Sequence, residues 1–168
     1  MEYQELLLHA VIDESGIRDM RCHCGRSGSH LVDDVLQGLQ RDPFSLYSRV
    51  QLDLHVFSGP FMKPIGPALT KVLLAALPWQ RGIEARRTVL DDLWALSGPD
   101  NDDMGDLCCE VLSAGVWTFV DEVASGRDRE SAGAAFVILG NLEEDRWVAF
   151  LRERYAHHLP GWALEDKD

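Results

Sequence analysis

Residues 127–140 read Arg-Asp-Arg-Glu-Ser-Ala-Gly-Ala-Ala-Phe-Val-Ile-Leu-Gly, and this stretch decides the fold class. Ala132, Ala135, Phe136 and Leu139 recur at the three- and four-residue spacing of a helix. Ser125-Gly126 breaks the chain before it, and Gly140-Asn141 signals its C-terminal stop. The same period continues on both sides. Upstream, Leu112, Val116, Phe119, Val120 and Val123 line one face of a longer helix, and Gly115 is expected to kink it or to admit a close neighbour. Downstream, Trp147, Leu151 and Tyr155 share one side of a helix from about Glu143 to His158, closed by Pro160-Gly161.

Working further outward, Ile65, Leu69, Val72, Leu73, Ala76 and Leu77 keep helical spacing up to Pro78. Leu90, Leu93, Trp94 and Leu96 do so between Glu84 and Ser97, where Gly98-Pro99 ends the run. Leu31, Val35, Leu36 and Leu39 form a helix face from His30, and Glu2–Glu14 gives a first helix. Ser15–Ser29 reads as a loop. Only Phe44–Phe57 is contested. Asp42-Pro43 looks like a cap followed by a first-turn proline, which favours a helix. Val50, Leu52, Leu54 and Val56 alternate with polar residues, which favours a half-buried strand. The cap carries the reading here, and the expected class is all-α.

A shift of 43 residues aligns Leu69 with Leu112, Leu73 with Val116, Leu77 with Val120, Arg86 with Arg129, Val89 with Ala132, Leu93 with Phe136, Leu96 with Leu139 and Leu107 with Phe150. That period lies within the range of two-helix solenoid repeats. Arg127–Gly140, and less closely Glu84–Gly98, resemble the second helix of a HEAT repeat, with an early Arg and small or apolar residues at helical spacing. The resemblance covers roughly 63–158. It implies antiparallel helix pairs stacked as a short solenoid; an irregular helical bundle shares the same apolar registers, and a strand over Val50–Val56 would give an α+β fold instead.

The chain of 168 residues is expected to form one domain, 1–168, with 161–168 as a frayed tail. Sixteen basic against 28 acidic residues give a net charge of −12. Such a surface repels phosphate backbones and attracts basic partners, so no direct nucleic-acid partner is expected. No apolar run approaches a membrane span. The acidic start Met1-Glu2-Tyr3-Gln4-Glu5 and the spacing of Cys22, Cys24, Cys108 and Cys109 point to the reducing cytoplasm.

Motifs for chemistry are sparse. Cys22-His23-Cys24 with His30 supplies soft donors of the kind zinc takes, with Cys22, Cys24 and His30 as the candidate ligands, but C-x-C is tighter than the usual zinc spacing and no second cysteine pair lies close in sequence. Gly25-Arg26-Ser27-Gly28-Ser29 precedes a helix and lacks the Walker lysine. Asp100, Asp102 and Asp103 fail as a calcium loop because Met104 and Val111 occupy the fifth and twelfth positions. His157-His158 suits the negative end of a helix. No nucleophile elbow or zinc-protease motif is present. No cofactor and no catalytic residue are assigned.

The expected function is therefore non-catalytic binding of a basic protein, with Asp91, Asp92, Asp102, Asp103, Glu144 and Asp145 at the contact. Stacked pairs would bring 99–106 near 141–145 as an acidic rim. Size, charge and helix content resemble immunity proteins of bacterial toxin systems, several groups of which use HEAT-like repeats. That resemblance implies a toxin as the basic partner. A nucleic-acid mimic predicts the same acidity. The alternative class is a small helical enzyme or a ligand- or metal-binding domain. It would use the Cys22–His30 segment or a pocket lined by Trp79, Trp94 and Trp117.

Overall fold

The computed structural model describes residues 3–40, 55–58, 61–80, 82–98 and 103–165. Among these the protein is all-α: nine helices and one two-stranded hairpin. The helices are α1 (Tyr3–Ser15), α2 (Ser29–Gln40), α3 (Ile65–Ala76), α4 (Ile83–Leu96), α5 (Asp103–Ser113), α6 (Val116–Ser125), α7 (Arg129–Asn141), α8 (Asp145–Tyr155) and α9 (Gly161–Leu164). The hairpin pairs β1 (Phe57–Ser58) antiparallel to β2 (Phe61–Met62). Of the contested segment, 44–54 lies outside the described residues; His55 is helical and Phe57 is in β1.

Helices α3 and α4 bury most of the face their spacing marks. On α3, Ile65, Leu69, Val72, Leu73 and Ala76 are buried; on α4, Val89, Leu90, Leu93 and Leu96. Helix α7 is buried beyond the narrow stripe expected of it, from Ser131 through Phe136 and again at Ile138 and Leu139. It can be so because α4, α6, α8 and α9 all pack around it. Helix α3 in turn packs on α1, α2, α4 and α5. The pairs offset by 43 residues are buried together at Leu69 and Leu112, Leu93 and Phe136, and Leu96 and Leu139. Arg86 and Arg129 part company: Arg86 is buried, while exposed Arg129 donates to the Leu159 carbonyl at 2.9 Å.

The expected single helix over 103–125 is two, broken at Ala114-Gly115. A Cβ on Gly115 would stand 2.6 Å from Leu74 Cδ2, so glycine is what lets α3 approach here. Asp128 caps α7 by accepting from the Ser131 N–H at 2.9 Å. Of the tail expected to fray, residues 161–164 form the docked α9, and 166–168 lie outside the described residues. Trp162 of α9 stacks on Trp94 with ring centroids 5.7 Å apart, and Ala163 is buried.

Two ion pairs tie α4 to the helices that follow. Arg86 reaches the fully buried Glu122 of α6 through Nε at 2.7 Å and through Nη2, and donates to the Leu77 carbonyl at 2.9 Å. Arg87 grips Asp128 with both nitrogens of its fork, at 2.7 and 2.5 Å.

Candidate functional site

Helices α5 and α6, Asp-Met-Gly-Asp-Leu-Cys-Cys-Glu-Val-Leu-Ser and Val-Trp-Thr-Phe-Val-Asp-Glu-Val-Ala-Ser, contain no Lys, Arg or His. Their inward face buries Cys108, Leu112, Val116, Phe119 and Val123. Asp103, Asp106, Leu107 and Glu110 are exposed at helical spacing on α5, and Trp117 and Asp121 one turn apart on α6. Trp117 is 68 % exposed and Leu107 42 %, so each of the two helices presents an apolar side chain to water alongside its own carboxylates. Trp117 meets Trp147 of α8 edge-on at 4.7 Å, and Trp147 meets the 41 % exposed Phe150 at 5.9 Å. A shallow pocket lined by Pro78, Arg86, Trp117, Thr118, Asp121 and Arg127 opens beside this ridge. There Arg127 pairs with Asp121 at 3.1 Å.

The residues expected at the contact lie on or next to α4, α5 and α8. Asp91 is exposed on α4, but its neighbour Asp92 is 0 % exposed and cannot belong to an outer contact face. Asp103 and Asp145 are exposed in the first turns of α5 and α8, Glu144 is half-buried before α8, and Asp102 lies outside the described residues. Asn141 donates to Ser97 Oγ at 3.0 Å, joining the C-terminal ends of α4 and α7 from which the two acidic loops depart. The α5–α6 face itself was missed at Asp106, Leu107, Glu110, Trp117 and Asp121. A signal for it exists: no Lys, Arg or His occurs anywhere in residues 88–126. Of the tryptophans expected to line a pocket, Trp94 takes Trp162 and Trp117 takes Trp147 as its ring partner.

The Cys22–His30 segment is more ordered than a plain connector. Arg21 and Ser27 form an antiparallel bridge, the Cys22 N–H donates to the Arg26 carbonyl at 2.9 Å, and the Gly28 N–H to the Met20 carbonyl at 2.8 Å. The loop tip turns at Gly25, whose φ of +86° suits glycine. Cys22 Sγ, Cys24 Sγ, His30 Nε2 and His55 Nδ1 converge, all within 4.8 Å of one another. Cys22 is buried, Cys24 exposed, and the two imidazoles half-buried. Burial pushes the Cys22 thiol up and, with the His30 and Arg26 charges, pushes the His55 imidazole down. Three of these residues were legible as candidates; His55, 25 positions beyond His30, was not.

No family model, no curated protein and no solved structure matches this chain. Among the described residues no helix is long and apolar enough to cross a membrane.

Proposed function

We propose that the protein is a non-catalytic binding module that presents the α5–α6 face to a basic protein partner. The observation that carries this reading is the exposure of Asp103, Asp106, Leu107 and Glu110 on α5 and of Trp117 and Asp121 on α6. Exposed Trp is the residue type most enriched among binding hot spots, and its ring face attracts Lys and Arg. The surrounding carboxylates and the net charge of −12 steer a cationic surface toward it. The helical pairs serve as a HEAT-like scaffold that holds this face rigid. Neutralisation of a basic toxin in a reducing cytoplasm is the instance to which size, acidity and helix content conform.

The test is a tagged capture from native cells at low salt, followed by kinetics on the released partner. Replacing Asp103, Asp106 and Glu110 together by Ser should slow association and flatten its salt dependence. Trp117→Ala should speed dissociation and cost about 2 kcal/mol of affinity. Unchanged rates in both variants would discard this face. Displacement of the partner by competing DNA would instead identify a nucleic-acid mimic.

A further inference from the structure

We propose that Cys22, Cys24, His30 and His55 form a structural zinc site. It is independent of the binding reading above. Zinc takes thiolate at ~2.3 Å and imidazole at ~2.0–2.1 Å in a tetrahedron. Those lengths place a sulfur and a nitrogen ligand ~3.6 Å apart and two nitrogens ~3.3 Å apart. Here Cys22 Sγ lies 3.2 Å from His55 Nδ1, Cys24 Sγ 3.8 Å from His30 Nε2, and His30 Nε2 3.3 Å from His55 Nδ1. Three of the six donor–donor distances thus lie close to the edges of a zinc tetrahedron, and all four atoms are within 4.8 Å of one another.

The surroundings aim these atoms. His30 Nδ1 bonds the Ser27 carbonyl at 2.5 Å, and an oxygen acceptor there keeps the proton on Nδ1 and the lone pair on Nε2. That is the partner a metal-bound histidine uses on its far nitrogen. His55 is held from the other side, because the His23 N–H donates to its carbonyl at 3.0 Å and the next residue, Val56, is buried and bonded to the Lys63 N–H at 2.8 Å. Cys22 and Cys24 come from the bridged loop, and His30 from the first turn of α2. Two thiolates and two neutral imidazoles compensate a dication, and sulfur with nitrogen in a tetrahedron selects zinc over calcium or magnesium. All four positions are taken by protein, which leaves no open site for substrate water and makes the role structural. The ion would clamp the 21–27 loop, the start of α2 and the segment entering β1.

The experiment is metal analysis of the purified full chain from zinc-supplemented cells, with cobalt replacement after chelation. One zinc per chain is expected, and cobalt should give tetrahedral visible bands with thiolate charge transfer. Cys24→Ser and His55→Ala should each weaken zinc binding by more than the roughly 100-fold typical of an outer-shell partner. His23→Ala, in the same loop but outside the cluster, should keep zinc. Should the ligand variants fail to fold, alkylation of the wild-type chain decides: zinc should protect the exposed Cys24, and chelation should release it. Absence of thiolate charge transfer in cobalt-loaded protein, or Cys24 labelling at equal rates with and without zinc, overturns the site.

Discussion

The α3–α8 stack and the Cys/His corner are held together in opposite ways. In the stack, Leu69, Leu93, Leu96, Phe119 and Leu139 are all fully buried, and cohesion is spread over many side chains. The corner spanning 17–30 and 55–62 has a thinner apolar share, chiefly Ile17, Cys22, Val56 and Met62. It relies on backbone bonds across a tight loop, beside which four soft donors lie within 4.8 Å of one another. The stack can lose one contact and keep its geometry. The corner's geometry depends on each of a few.

Three substitutions probe that contrast. The largest effect is expected from Glu122→Ala, which leaves the buried Arg86 guanidinium without its carboxylate, at a cost of about 3–5 kcal/mol in urea unfolding. An Arg86→Met/Glu122→Leu double variant should recover most of it, because the stack tolerates apolar repacking. A double variant as unstable as the single would show the pair to be part of the scaffold's cohesion after all.

Next is Asp128→Ala, which removes the α7 cap and the Arg87 pair. Hydrogen bonds from the Arg87 guanidinium, aided by the Ser131 N–H and opposed by burial, hold the Asp128 carboxyl at about 2 against an ordinary 3.8. The folded carboxylate resists protonation more than the unfolded one does. Its stabilisation is therefore complete above about pH 4 and fades as pH falls through about 2. With Arg87 about one-third exposed, solvent screening trims the expected loss near neutral pH to about 2 kcal/mol. A wild-type-minus-variant difference that does not shrink between pH 5 and about pH 2 would contradict the assignment.

The smallest global effect is expected from Gly25→Ala. Its φ of +86° strains any L side chain, at a cost of about 1 kcal/mol. Hydrogen exchange should quicken at the Cys22 and Gly28 amides while α4 and α7 keep their protection. Loosening of the stack as well would mean the two regions are one cooperative unit.

Legibility in the sequence follows the same division. Local period revealed helices wherever side chains recur at three and four, as at Leu69, Val72, Leu73 and Ala76. It marked Gly115 as a kink or a place for a close neighbour, but that neighbour, Leu74, lies in no local window. It also misjudged the C-terminus, where Trp162 is fixed by Trp94, 68 positions earlier by number. The acidic contact was read from runs of Asp and Glu. Asp92 sits in such a run and is nonetheless buried, since burial depends on helix phase and packing rather than on residue type.

The sequence by itself determined the helical class, the charge and three of the four soft donors, because composition and short-range period are properties of neighbouring residues. Only the tertiary structure decided that His55 completes that set, that Arg86 and not Arg129 is buried against a carboxylate, and that Trp117 stands out in water. Each of these depends on which distant segments meet, and that is set by packing of whole faces rather than by any one stretch of chain.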